Sequence, residues 1–222
     1  TVMACRGVPV IYYDFENGRQ KIYQRTMTRL SRIEGGKLVE NSFSEEEQLR
    51  FEQAHGLFRK MLNHFRVVND RALSPEIMRR HIDFIRHETQ QDYCVVIIDS
   101  LHKLPFKDFS ERRTGIDAWL RQFESIRDEH QVSFLIISEL TRGDRGAYDE
   151  TPHMGIFKGS GDIEYSADNA LVLYPETDAQ KITSAADRSA HLWLVASREH
   201  SPGLVAAYQL EYPYWSFREQ EQ

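Results

Sequence analysis

The chain has 222 residues, 41% of them hydrophobic, which suffices for one large core or two small ones, the single core being the simpler expectation. Its net charge of −6, from 28 basic and 34 acidic residues, excludes a global field that attracts nucleic acid, so any such contact must come from a local basic patch. No apolar run approaches the roughly 20 residues that span a bilayer, no leader pattern is present, and Cys5 and Cys94 lack metal-ligand spacing, which together predict a soluble, cytoplasmic chain with two packed, reduced thiols.

Residues 1 to 6 read as the tail of a helix, and "GVPVIYYDFE" predicts a buried strand from Pro9 to Phe15. From Gln20 to Ile33, the side chains Ile22, Tyr23, Leu30 and Ile33 recur at helical intervals, and the glycines of "EGGK" suit a C-cap. Glu45 to Phe65 carries Leu49, Leu57, Phe58, Met61 and Leu62 as a further amphipathic helix, while "FRVVN" can form a short strand. In "LSPEIMRRHIDFIR", Ser74 suits an N-cap, Pro75 the first helical position, and Ile77, Met78, Ile82 and Ile85 share one face. "CVVIIDSLHKLP" then drives an apolar strand into the core and stops it on Asp99 and Ser100. A helical stripe of Ile116, Trp119, Leu120, Phe123 and Ile126 follows, and "VSFLIIS" returns as another apolar strand.

Apolar strands separated by helices predict an α/β fold with a mostly parallel sheet covered on both faces. The last third differs: "NALVLYP", "HLWLVAS", "LVAAYQLEY" and "YWSF" are short strands joined by turns and predict an antiparallel extension. The polar segment from Thr141 to Lys158 is long for an ordinary connection, which suggests function or disorder.

Ligands of open parallel sheets bind beyond the carboxyl ends of the strands. Three strands here end on polar groups at that rim: Asp14 and Glu16, then Asp99, then Ser138 and Glu139. An aspartate there can hold Mg²⁺ through its waters, and a nearby glutamate can deprotonate an attacking water, so the set suggests phosphoryl transfer. The bland alternative is that each acid merely caps a strand or the helix that follows.

In order and spacing these motifs resemble the RecA-like ATPase domain of bacterial replicative helicases of the DnaB type, across residues 1–222. "VIYYDFENG" is similar to the strand that ends in the family's catalytic glutamate, which would give Glu16 that role. "RVVNDRALSPEIM" resembles the segment before Walker B, and "VVIIDSLHKLP" resembles the Walker B strand, with Asp99 as the Mg²⁺ acid and Ser100 beside it. "IISELTRG" is similar to the strand that senses the γ-phosphate, implying that role for Ser138 or Glu139, although the family usually has glutamine at the latter position. "GSGDIEYSADNALVLYP" resembles the pattern that follows the DNA-contacting loop. The resemblance implies ATP and Mg²⁺ as cofactors, a homo-oligomeric ring such as a hexamer, and single-stranded DNA held by Lys107, Arg112, Arg113, Arg142, Arg145 and Lys158. The mixed charge of those loops also suits a plain solvated surface.

Two departures stand out. No "GxxxxGK[ST]" phosphate loop occurs in these residues. Either it lies upstream, with Thr1 to Gly7 ending the helix that would follow it, or the protein lacks it and is a catalytically inactive RecA-like module for assembly or DNA binding. In "VASREHSPG", alignment on the proline puts Ser197 and Glu199 where the family carries its basic residues, so Arg198 serves as an arginine finger only if a bulge restores its direction. A recombinase or clock-type ATPase of the same superfamily is a further reading.

Overall fold

A computed structural model describes residues 1–105, 112–140, 156–157, 162–175 and 188–220. They belong to two compact units, residues 1–139 and 140–222, each with its own four-stranded sheet.

In the first unit, α1 (Val2–Cys5), β1 (Val10–Asp14), α2 (Arg19–Ser31), α3 (Gly35–Glu40) and α4 (Glu45–Met61) are followed by β2 (Phe65–Val68), α5 (Pro75–Thr89), β3 (Val95–Asp99), α6 (Arg112–His130) and β4 (Ser133–Ile136). The strands lie in the order β2-β1-β3-β4 and every pairing is parallel. Val10 pairs with Val95 and Asp14 with Asp99, so the two central strands end level. Because side chains alternate across a strand, Val10, Val95 and Ile97 face one layer, where they pack with Met61, Phe65, Val67 and Ala4. On the other face Tyr13 meets His81 of α5, and Phe134 of β4 meets Phe123 of α6 with ring centroids 5.0 Å apart. The helix predicted from Ser74 and Pro75 forms as expected, with the Ser74 hydroxyl accepting from the Ile77 N–H and with Met78, Ile82 and Ile85 buried.

The sequence expectations differ from the structure at several points. The glycines of "EGGK" do not cap α2: Arg32 turns left-handed at φ 55° and gives its N–H to the Thr28 carbonyl, which sends Ile33 into the core and leaves Gly35 and Gly36 to open α3. The predicted long helix stops at Met61, and Phe65 joins the sheet opposite Val10 because a parallel partner is within reach. Leu49 and Leu57 stay exposed on α4, whose buried face is Ala54 and Met61. Among the described residues β4 pairs with β3 alone, and Leu135 and Ile137 are exposed despite the apolar run. Cys5 is exposed, whereas burial pushes the Cys94 thiol up to about 11 and keeps it protonated.

Tyr13 and His81 form a polar pair against the core, with the phenol oxygen 3.0 Å from Nδ1. Burial holds His81 below the ordinary imidazole value, so the folded state favours the neutral ring beside the Tyr13 hydroxyl. The unfolded chain then binds more protons than the folded one as pH falls through about 6.5, and stability declines on acidification. Urea unfolding between about pH 8 and pH 5 should show this slope. His81→Gln, which retains an acceptor but does not titrate, should flatten it.

In the second unit, α7 (Asp162–Ser166) precedes β5 (Asn169–Pro175), β6 (Ser189–Ser197), β7 (Gly203–Glu211) and β8 (Ser216–Glu219). These strands form an antiparallel meander in chain order, with irregularities at Ala170/Leu171 and Leu192/Trp193. Val172 and Tyr174 bury one face of β5 with Ile156, Leu140, Phe157 and Trp193.

Candidate functional site

Asp14 is wholly buried at the end of β1, and its carboxylate is spent on the backbone that follows. Oδ1 accepts the N–H groups of Asn17 at 3.0 Å and Glu16 at 3.3 Å, and Oδ2 accepts that of Gly18. Charged acceptors make the stronger backbone hydrogen bonds. The turn they fix also needs Gly18 at φ 85°, a region costly for residues with a Cβ. The sequence places Asp14 at the rim with Glu16; the structure makes Asp14 the anchor and Glu16 the group presented by the turn.

Glu16 and Asp99 converge there. The Ser100 hydroxyl donates to Glu16 Oε1 at 3.1 Å, Ser100 being itself buried, and the Phe15 N–H donates to the Asp99 carbonyl at 2.9 Å. The Asp99–Ser100 peptide is cis. Tyr12, two residues before Asp14 on the same strand face, donates its hydroxyl to Asp99 Oδ2 at 2.5 Å. Burial raises the Asp99 carboxyl above the ordinary carboxylate range; the charges of Glu16 and Asp14 add to this, while the Tyr12 hydroxyl and the Arg25 cation oppose it. Burial, followed by the bond to Asp99, raises the Tyr12 phenol strongly, so it remains a donor. Sequence reasoning missed Tyr12 and Arg25. Their only signals were the period-two spacing from Tyr12 to Asp14 and a cation on the first helix after the strand.

This donor set suits a divalent cation. Hard oxygen ligands with crowded negative charge gain from a dication in place of a proton. Among the described residues no group of three or more His, Cys, Asp or Glu side chains could hold a metal ion. Asp99 could hold such a cation through water, the usual habit of Mg²⁺.

Ser138 and Glu139 follow β4 on a segment laced to the Asp99 strand. The Ile137 N–H donates to the Ile98 carbonyl at 3.0 Å and the Leu101 N–H to the Ile137 carbonyl at 2.9 Å. His102, buried in the short 3₁₀ turn Leu101–Lys103, accepts the Glu139 N–H at 3.3 Å through Nδ1. The backbone after β4 is thus tied to the backbone after β3.

Arg198, in the second unit, sits just past β6. Its Nη1 lies 3.3 Å from Asp168 Oδ1, Nη2 donates to the Tyr165 carbonyl at 3.4 Å, and both charged side chains are more than half exposed. Such a surface pair contributes less than about 1 kcal/mol, so it holds the guanidinium only loosely. Of the six basic residues implied in DNA contact, Arg112 and Arg113 begin α6. Lys107, Arg142, Arg145 and Lys158 lie outside the described residues. Among the described residues no helix is long and apolar enough to cross a membrane.

A family model described as the DnaB-like helicase C terminal domain matches residues 1–214. The chain is 22% identical over 204 residues to the probable plasmid replicative DNA helicase of Chlamydia trachomatis serovar L2, covering 92% of this chain and 44% of that protein. It is 24% identical over 167 residues to the replicative DNA helicase DnaB of Buchnera aphidicola subsp. Acyrthosiphon pisum, covering 75% of this chain and 36% of that one. The chain thus spans less than half the length of these curated relatives. Among solved structures, a DnaB-like replicative helicase, studied with its interactions with primase, matches with a TM-score of 0.84 at 20% identity, over 99% of this chain and 52% of that one. A solved ATPase domain gives the same TM-score and identity, over 99% of this chain and 77% of that one. The RecA-like arrangement expected from the sequence is the fold of these ATPase domains.

Proposed function

The chain belongs to the DnaB-like helicase C-terminal domain family, and from that premise we propose that it is the motor module of a cytoplasmic, ring-forming DNA helicase that hydrolyses ATP with Mg²⁺ and moves on single-stranded DNA. The observation that carries the reading is the convergence of Glu16, Ser100 and Asp99 on the carboxyl rim of β1 and β3. Mg²⁺, when bound, would neutralise charge on the phosphates. Asp99 holds the water shell of that ion. Glu16, with Oε1 fixed by Ser100, accepts the proton of the attacking water through its other oxygen. Ser138 and Glu139 relay the state of the γ-phosphate to the segment after β4, because the His102 bond ties that segment to the Asp99 turn. Arg198 leaves its weak pair with Asp168 to reach a neighbouring subunit's nucleotide. Lys107, Arg112, Arg113, Arg142, Arg145 and Lys158 hold DNA phosphates.

The test is ATP hydrolysis by the protein encoded by the complete reading frame, with and without single-stranded DNA. Stimulation by DNA that fades steeply with salt supports the motor reading. Silence under both conditions, with DNA or self-association retained, would replace it by the inactive module for assembly or DNA binding that the "SRE" sequence favours.

A further inference from the structure

We propose that Tyr12 is a positioning residue for Asp99, holding Oδ2 so that only Oδ1 is presented to the water shell of a divalent cation. The inference rests on the reading of Asp99 as the metal-side acid. The Tyr12 hydroxyl lies 2.5 Å from Oδ2. Register explains the reach: Tyr12 pairs with Ile97, so its long side chain crosses to the neighbouring strand and meets the residue two places further on, along the same face. The ring cannot drift, because it packs with the cluster of Val10, Phe65, Val67 and Ile97, its centroid 6.3 Å from that of Phe65. The hydroxyl is therefore delivered from a rigid strand.

The arrangement has a counterpart on Glu16, whose Oε1 is held by the Ser100 hydroxyl. Each of the two carboxylates has one oxygen committed to a hydroxyl and one left for chemistry. Without the Tyr12 bond the Asp99 carboxylate can rotate about its terminal torsion, which is soft, and can turn toward a cation with either oxygen. Outer groups that orient metal ligands typically change metal affinity or activity by roughly 10–100-fold when removed.

Tyr12→Phe removes only the hydroxyl and retains the packed ring, so folding is expected to survive, with circular dichroism as the check. In the complete protein loaded with ADP, Mn²⁺ binding followed by electron paramagnetic resonance should weaken roughly tenfold in Y12F. The Mg²⁺ concentration that half-saturates ATP hydrolysis should rise in parallel, and the lost turnover should return as Mg²⁺ is raised. A double-mutant cycle with Asp99→Asn supplies the decisive arm: if Tyr12 acts through Asp99, Y12F causes no further loss in the D99N background. Unchanged Mn²⁺ affinity in Y12F, with affinity lost in D99N, would overturn the role of Tyr12 and leave the site reading intact. Additive losses in the double variant would also overturn it. Full Mn²⁺ affinity and hydrolysis in D99N would remove the site reading itself, and the role of Tyr12 with it.

Discussion

Glu16→Gln is expected to lower the turnover number for ATP hydrolysis by roughly 10²–10⁴-fold while nucleotide affinity stays within about threefold. Glutamine keeps the length of the side chain and an oxygen for the Ser100 hydroxyl, which now sits 3.1 Å from Oε1. What it lacks is a basic oxygen able to take a proton from water. A loss confined to turnover would mean that Glu16 acts in the proton-transfer step and not in binding. Hydrolysis at the wild-type rate, measured with DNA and saturating Mg²⁺, would remove Glu16 from the mechanism.

The second large effect is one of architecture. Asp14→Ala should destabilise the fold by about 2 kcal/mol, because it removes the buried carboxylate that accepts the N–H groups of Glu16, Asn17 and Gly18 in a partly buried turn. Urea unfolding at neutral pH reads this as a lower midpoint with an unchanged slope. Asp14→Asn should fall between: its amide oxygen can still accept from Asn17, but its NH₂ would face the Gly18 N–H, donor against donor. The same substitutions should depress turnover in the folded fraction, since displacing a reacting group by about 1 Å can cost on the order of 100-fold. An unfolding midpoint for D14A equal to that of wild type would show that the turn is held by something other than the carboxylate.

Much of this was legible along the chain. The apolar run Val95–Ile98 identifies a central strand because polar alternation is missing, and the structure buries all four residues between helices. Ser74 and Pro75 announce a helix start by the chemistry of unsatisfied N–H groups, and the Ser74–Ile77 bond supplies it. The acids at strand ends were visible too, since parallel strands bring their carboxyl ends to one rim. Their division of labour was not. Nothing in "YYDFENG" tells that Asp14 turns back onto its own backbone while Glu16 faces outward, because that depends on which N–H groups the turn brings within reach of the Asp14 carboxylate. Position in the sheet is likewise invisible: "VSFLIIS" reads as apolar as "VVIID", yet among the described residues β4 has one neighbour in the sheet where β3 has two.

Sequence alone therefore determined the class of fold, the alternation of its principal strands and helices, and which acids end the strands, because these follow from short-range periodicity, capping chemistry and motif spacing. Tertiary structure alone decided that Tyr12, 87 residues from Asp99 in the chain, holds that carboxylate, that Ser100 holds Glu16, and that His102 ties down Glu139. The reason is physical: a hydrogen bond requires atoms within about 3 Å, and only the register of paired strands, set by packing across the whole sheet, brings residues so distant in the chain within that range.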